Sequence, residues 1–407
     1  MSVFSLDPVR TAWCAELRAL TARRLRPLAE RGEPGRVNRP LVAELGRLGL
    51  LERVFTSSAL DLCLLRESLA QECTEAETAL ALQGLGTYPV VLAGTERQRA
   101  RWLPEVCAGR AVAAFALSEP GAGSDAAALA LRAAPDGRGW RLTGEKRWIS
   151  NAPEADFYTV FARTAHGADP AGAPDTAGAP DTTPVAGTAP EHGTAPAPAP
   201  APTPRSGSRG VTAFLVPADR PGLTGSPLEM LSPHPVGALA FDAVPVTRED
   251  VIGEVGRGFR TAMTTLNLFR PSVGAFAVGM AQAALDATLE HTSTRTAFGG
   301  PLKDLQSVAH QVAEMATRTE AARLLVYAAA CAYDTGAPDV PARSAMAKLY
   351  ATEAAQYVVD AAVQLHGARA LQRGHPLEHL YREVRAPRIY EGATEVQRTI
   401  IAKELYG

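Results

Sequence analysis

Among the 407 residues, the most pointed chemical signal is a carboxylate near the C-terminus. In Ile389-Tyr390-Glu391-Gly392-Ala393-Thr394-Glu395, Glu391 stands between an aromatic side chain and a glycine. An ordinary carboxylate is a weak base. Burial against apolar groups would raise its pKa toward about 6–7, where it could take a proton from carbon. The plainer reading is a carboxylate stabilised by a helix N-terminus. A second segment, Leu117-Ser118-Glu119-Pro120-Gly121-Ala122-Gly123-Ser124-Asp125, offers two glycines, flanking hydroxyls and backbone N–H groups able to form a small anion nest. Proteins have no side chain that accepts a hydride, so an oxidation begun by such a base needs a flavin or a nicotinamide. Residues 121–126 fit only a loose dinucleotide fingerprint, and strands and helices do not alternate around them, which argues against a doubly wound sheet. His375-Pro376-Leu377-Glu378-His379 has a zinc-enzyme spacing, but a helix could start only after His375 and no third ligand is evident, so no metal is expected.

The elements that must position these residues fall into three blocks. Residues 1–112 read as helical, with apolar residues at three- and four-residue spacing such as Leu41, Leu45, Leu48 and Leu51. Within them, 78–93 lacks charge. It reads as a buried helix broken up by Gly84, Gly86 and Pro89, or as the wall of an acyl pocket whose glycines let a ligand approach the backbone. Residues 113–245 change period. Short β-prone runs at 112–117, 140–142, 157–162, 211–216, 239–241 and 244–246 are bounded by Gly, Pro and Asp. An Ala/Pro-rich stretch, 165–209, interrupts this block and is expected to be disordered. In 246–407 the helical period returns, with stripes at Val278, Ala281, Leu285 and Leu289, at Val308, Val312 and Met315, and at Val358, Ala362 and Leu365, as in an antiparallel bundle.

Composition narrows the function classes. A net charge of −2 gives no electrostatic case for binding nucleic acid or an anionic membrane. No uninterrupted apolar run reaches about 18 residues, so no membrane span is expected. The N-terminal residues lack the pattern of a secretory signal. The five scattered cysteines suit reduced, buried thiols of a cytoplasmic protein.

The 117–125 loop and the 389–395 segment together resemble the acyl-CoA dehydrogenase family. So do Trp148-Ile149-Ser150-Asn151, Arg295-Thr296-Ala297-Phe298-Gly299, Leu268-Phe269-Arg270-Pro271 and Gln364-Leu365-His366-Gly367. The resemblance covers nearly the whole chain. It implies an N-terminal helical domain, a middle β-barrel domain and a C-terminal four-helix bundle, with FAD between the last two. It assigns cofactor contacts to Leu117, Ser118, Ser124, Trp148, Ser150, Arg295, Phe298, Gln306, Gln364, Gly367, Thr394 and Glu395. Ser124, Asn267, Arg270, Tyr390 and Gly392 would meet the substrate. Ser150 stands where relatives commonly have Thr, and Ala297, Ala368 and Ala393 depart from the usual residues. Asn267, Leu268 and Phe269 cannot act as a base, which leaves Glu391. The activity implied is α,β-dehydrogenation of an acyl thioester, on CoA or acyl carrier protein, to the trans-2-enoyl product. Electrons would pass to an electron-transferring flavoprotein, and the Arg295 turn would serve a neighbouring subunit of a homodimer or homotetramer. Two alternatives stay open: an oxidase or flavin monooxygenase using oxygen, and a thioester-binding protein without activity.

Overall fold

The computed structural model describes residues 6–164 and 209–407. The expected insert, 165–209, lies outside the described residues apart from Arg209. Seven helices come first: α1 (Pro8–Leu20), α2 (Arg26–Ala29), α3 (Arg39–Arg47), α4 (Leu50–Thr56), α5 (Ala59–Glu72), α6 (Thr74–Ala93) and α7 (Glu96–Cys107). Their starts carry recognisable caps. Asp7 accepts from the Arg10 N–H at 2.9 Å, and Thr95 forms a capping box with Gln98.

Helix α6 corrects the expectation of a broken segment. It runs unbroken for 20 residues with Gly84, Gly86 and Pro89 inside it. Tertiary packing overrides the low helix propensity. A Cβ on Gly84 would fall 2.4 Å from a Val54 methyl and 2.9 Å from the Phe269 ring, and one on Gly86 would fall 2.7 Å from the Ala114 nitrogen. The glycines therefore admit neighbouring protein, not a ligand.

The middle block is a sheet in the order β6-β7-β3-β2-β4-β5-β8, with β1 added parallel to β4. Its strands are β1 (Ala113–Ala116), β2 (Arg132–Asp136), β3 (Gly139–Ser150), β4 (Phe157–Thr164), β5 (Val211–Pro217), β6 (Leu223–Pro227), β7 (Val236–Thr247) and β8 (Val251–Ile252). β2 and β6 escaped the sequence reading because most of their residues are exposed and carry no apolar alternation. The sheet also continues to Ile252, beyond residue 245, since β8 pairs with β5. Two irregularities interrupt the β3–β7 register, one between Leu142 and Gly144 and one between Lys146 and Ile149.

The last block holds α8 (Gly258–Thr294), the small hairpin β9 (Thr296–Ala297) and β10 (Gly300–Pro301), α9 (Gln306–Asp334), α10 (Val340–His366), α11 (Pro376–Glu383) and α12 (Thr394–Tyr406). Helices α8, α9, α10 and α12 make the bundle, with α10 packed against the other three. Helix α8 is long and apolar enough to cross a membrane, but it is mostly buried against α5, α9 and α10, as a core helix is. Val278, Ala281 and Leu285 are buried as expected, whereas Leu289 is exposed because it lies on the outer face near the end of α8. Among the cysteines, Cys14, Cys63 and Cys73 are buried. Cys331 is exposed, contrary to expectation, on the outer side of α9.

Candidate functional site

Glu391 lies in the short connection ahead of α12. Its backbone is left-handed, with φ 51°, a conformation that costs a non-glycine residue about 1–3 kcal/mol and persists only where the surroundings impose it. Those surroundings are visible. Lys348 Nζ donates to the Gly392 carbonyl at 2.7 Å, and Gln397 Nε2 donates to the same oxygen at 2.8 Å and to the Glu391 carbonyl at 3.2 Å. Gly392, at φ 94°, has no room for a Cβ, which would sit 2.4 Å from Gln397 Nε2. Its small size thus serves the clamp of its own loop.

The Glu391 side chain is half-buried. Oε2 is buried and has no hydrogen-bond partner. Burial pushes the carboxyl pKa up, while Arg66, Lys348 and Arg270 pull it down, with a net rise. The three cations come from α5, α10 and α8. Lys348 is fully buried, and loss of hydration lowers its pKa to about 8. Arg270 is 5% exposed. Its Nη1 donates to Asn267 Oδ1 at 3.1 Å and its Nε is an unpartnered buried donor. Arg66 is ion-paired with Glu77 and donates from Nη1 to Ser272 Oγ at 2.5 Å.

The loop at 117–125 is brought against β3. Lys146 is fully buried and donates to the Leu117 carbonyl at 2.9 Å and to Glu119 Oε1 at 2.7 Å. Glu119 in turn accepts from the Ala130 and Leu131 N–H groups. The Arg147 N–H donates to the Ser118 carbonyl at 3.0 Å, so Ser118 and Trp148 are neighbours. Trp148 falls within the second β3 irregularity. It has φ 57° and is 47% exposed, an indole turned out of the sheet by a bulge. Ser150, two residues on, is half-buried, and Ser124 is exposed in the open part of the loop.

A third group gathers at one end of the bundle. Phe298 tips the β9–β10 hairpin with φ 53° and is 92% exposed, with Arg295 also exposed beside it. Gln306 begins α9, and Gln364 and Gly367 lie exposed at the end of α10. His291 of α8 stacks on His366 of α10 at 4.1 Å between ring centroids, which sets the Arg295 and Gly367 turns side by side. Of the five non-glycine residues with positive φ among the described residues, three are sequence candidates: Trp148, Phe298 and Glu391.

Sheet and helices are tied near the carboxylate. Ser150 pairs with Val236 across β3 and β7, and just before it His234 meets Glu383 of α11 at 2.5 Å. Glu383 lies eight residues ahead of Glu391. Two candidates have other placements. The Thr394 hydroxyl donates to Glu353 at 2.9 Å, and the exposed Glu395 lies beside Arg398. His375, Glu378 and His379 face separate partners: His375 caps α11, Glu378 pairs with Arg382, and His379 meets Thr74. The sequence reading missed Arg66, Glu77, Lys348 and the Lys146–Glu119 pair. A charged residue inside an otherwise apolar helical face was the available signal for the first three.

An α–β–α chain with a strained, half-buried carboxylate on the bundle side and a protruding indole on the sheet side has the design of a flavin-dependent dehydrogenase. Family models describing the N-terminal, middle and C-terminal domains of acyl-CoA dehydrogenase match residues 9–110, 114–184 and 256–406. A probable acyl-CoA dehydrogenase of Mycobacterium leprae is 36% identical over 346 residues, 84% of this chain and 79% of its own. The mitochondrial short-chain specific acyl-CoA dehydrogenase of Bos taurus is 33% identical over 375 residues, 89% and 82% of the two chains. The structure of butyryl-CoA dehydrogenase from Megasphaera elsdenii superposes with a TM-score of 0.83 at 28% identity, covering 99% of this chain and 100% of that one. The chain belongs to the acyl-CoA dehydrogenase family, a family of oxidoreductases whose cofactor is FAD. The residues present fit that group. The protruding Trp148 ring suits a flat heterocycle, and at Gly121 and Gly123 an added Cβ would meet nothing within 4 Å, so the loop backbone is open to approach.

Proposed function

We propose that this chain oxidises an acyl thioester between its α and β carbons, with Glu391 as the general base. The observation that carries this reading is the Glu391 carboxyl itself, held in a strained backbone conformation with a buried, unpartnered oxygen. Such an atom is costly to leave unsatisfied and suits a proton taken from substrate carbon. When bound, FAD supplies the acceptor for the β hydride. The raised pKa makes the carboxylate a stronger base for a weakly acidic α proton, while Arg66, Lys348 and Arg270 offset part of that rise. The backbone N–H of Glu391 would donate to the thioester oxygen as negative charge develops there. Arg270 and Asn267 would fix the thioester end, and Tyr390 and Gly392 would border the acyl group.

On this reading Leu117, Ser118, Ser124, Trp148 and Ser150 hold the flavin, with Ser124 also near the pantetheine arm. Arg295, Phe298, Gln306, Gln364 and Gly367 form an exposed platform suited to the cofactor of a second copy, in a homodimer or homotetramer. Thr394 and Glu395 complete the proposed cofactor set. The domains divide near residue 112 and between Ile252 and Gly258. The carrier is CoA or acyl carrier protein, which share the pantetheine arm, and the electron acceptor is an electron-transferring flavoprotein in the cytoplasm. Anaerobic mixing with acyl thioesters tests the core of this proposal. The wild-type flavin should bleach, and Glu391→Gln should keep its yellow colour and lose bleaching by at least 10²–10⁴-fold, the usual range for a general base. Retained bleaching in Glu391→Gln refutes the assigned base, and rapid reoxidation of reduced enzyme by air would favour an oxidase.

A further inference from the structure

One carboxylate on α10 holds both ends of the segment that carries Glu391. Glu353 Oε1 accepts from the Thr394 hydroxyl at 2.9 Å, and Oε2 pairs with Arg388 Nη2, also at 2.9 Å. Arg388 lies three residues before Glu391, and Thr394 lies three residues after it. Neither Glu353 nor Arg388 has a part in the proposed proton and hydride transfers. The clasp also commits the Thr394 hydroxyl: its one proton goes to Glu353, and only its lone pairs remain for another group.

The segment has little of its own to define it. Before Glu391, a single short turn at Ala386–Arg388 offers one carbonyl, Ala386, which takes the Ile389 and Tyr390 N–H groups at 2.8 and 3.2 Å. After it, α12 begins with Ala393 at the N-cap position, and no side chain among the described residues caps it. An uncapped helix start leaves N–H groups without a partner and frays readily. Glu353 anchors that start from outside through Thr394, and the same group fixes the preceding turn through Arg388. It stands on a 27-residue helix packed against α8, α9 and α12, so the anchor is rigid. Lys348 of the same helix holds the Gly392 carbonyl at 2.7 Å. Helix α10 thus grips the segment before, within and after the turn that gives Glu391 its φ of 51°. Such a conformation persists only while its surroundings over-determine it.

We infer that Glu353 is a positioning residue for the base: by clasping Arg388 and Thr394 it holds Glu391 in the left-handed conformation that presents its carboxylate to the substrate. The inference rests on the proposed role of Glu391. A base acts only within hydrogen-bond reach of its proton, and a misplacement of about 1 Å costs on the order of 100-fold. Two readouts on the FAD-loaded protein test it. Without substrate, the Ile389 and Tyr390 amides of Glu353→Ala should exchange hydrogen at least about tenfold faster than in wild type, while amides inside α8 and α9 keep their rates. With the acyl-CoA that bleaches wild type fastest, anaerobic bleaching per bound flavin should slow roughly 10–100-fold in Glu353→Ala, with KM and flavin content changed less than about threefold, as for an interaction expressed in the transition state. Glu353→Gln keeps an oxygen for Thr394 but loses the charge pair, and Arg388→Met keeps only the Thr394 arm; both should fall between wild type and Glu353→Ala. These two variants decide the matter if Glu353→Ala does not fold. A lower melting temperature with an unchanged bleaching rate per flavin overturns the inference and leaves Glu391 as the base. So does slowed bleaching with unchanged amide exchange, since the clasp would then not hold the segment. If no acyl-CoA bleaches wild type, the proposed reaction fails and the positioning role falls with it, and the exchange rates report separately whether the clasp orders the segment.

Discussion

Lys348→Met separates what the buried lysine costs the fold from what it does for Glu391. The ammonium is fully buried, and desolvation brings its pKa from 10.5 to about 8. At about 1.4 kcal/mol for each pKa step, keeping it charged in the interior costs about 3 kcal/mol at pH 7. Against that stands the charged hydrogen bond to the Gly392 carbonyl, worth roughly 1.5–3 kcal/mol. Deleting the amine leaves that carbonyl satisfied by Gln397. The two effects nearly cancel at pH 7, so the variant should be about as stable as wild type there. They cease to cancel as pH rises. Between about 8 and 10.5 the unfolded lysine holds a proton that the folded one has released, so wild-type stability climbs with pH through this window. Methionine has no such gain. Wild type should therefore gain about 2–3 kcal/mol over Lys348→Met between pH 7 and pH 10. Lys146, whose pKa also falls to about 8, titrates in both proteins and drops out of the difference. Urea unfolding of both proteins at the two pH values is the assay, and a stability difference independent of pH would refute the reasoning. In the same variant the acid limb of the activity profile should move to higher pH, because one of three cations opposing Glu391 protonation is gone.

Two further perturbations probe the frame around the site. His234 loses basicity through burial but regains more from Glu383 and other carboxylates, so its pKa is raised; its stabilisation is full below about 6.5 and lost as pH rises through the folded value. His234→Gln should cost roughly 1.5–3 kcal/mol at pH 6 and progressively less as pH rises through the folded value, and a loss that does not fall with rising pH in urea unfolding would contradict this. Gly86→Ala would place a methyl 2.7–2.8 Å from the β1 backbone at Ala113 and Ala114, and the overpacking should lower stability by about 1–3 kcal/mol. A melting temperature unchanged in Gly86→Ala would show that α6 and β1 can separate freely.

The sequence by itself determined the helical, strand and helical blocks, because apolar period is a local property of the chain. It also determined the functional segments, since Leu117-Ser118-Glu119, Trp148-Ile149-Ser150 and Tyr390-Glu391-Gly392 are runs whose order carries their meaning. The structure added that Trp148, Phe298 and Glu391 all sit at positive φ, a strain no composition reveals. Strands β2 and β6 were illegible because their exposed residues mark no face. Gly84, Gly86 and Pro89 misled as helix breakers because their neighbours Val54, Phe269 and β1 are distant in sequence or outside the helix. Above all, tertiary structure alone decided the company Glu391 keeps. Arg66, Arg270 and Lys348 come from three different helices up to 325 positions away along the chain. A carboxyl pKa depends on charges and solvent in space, and only the packed fold fixes those.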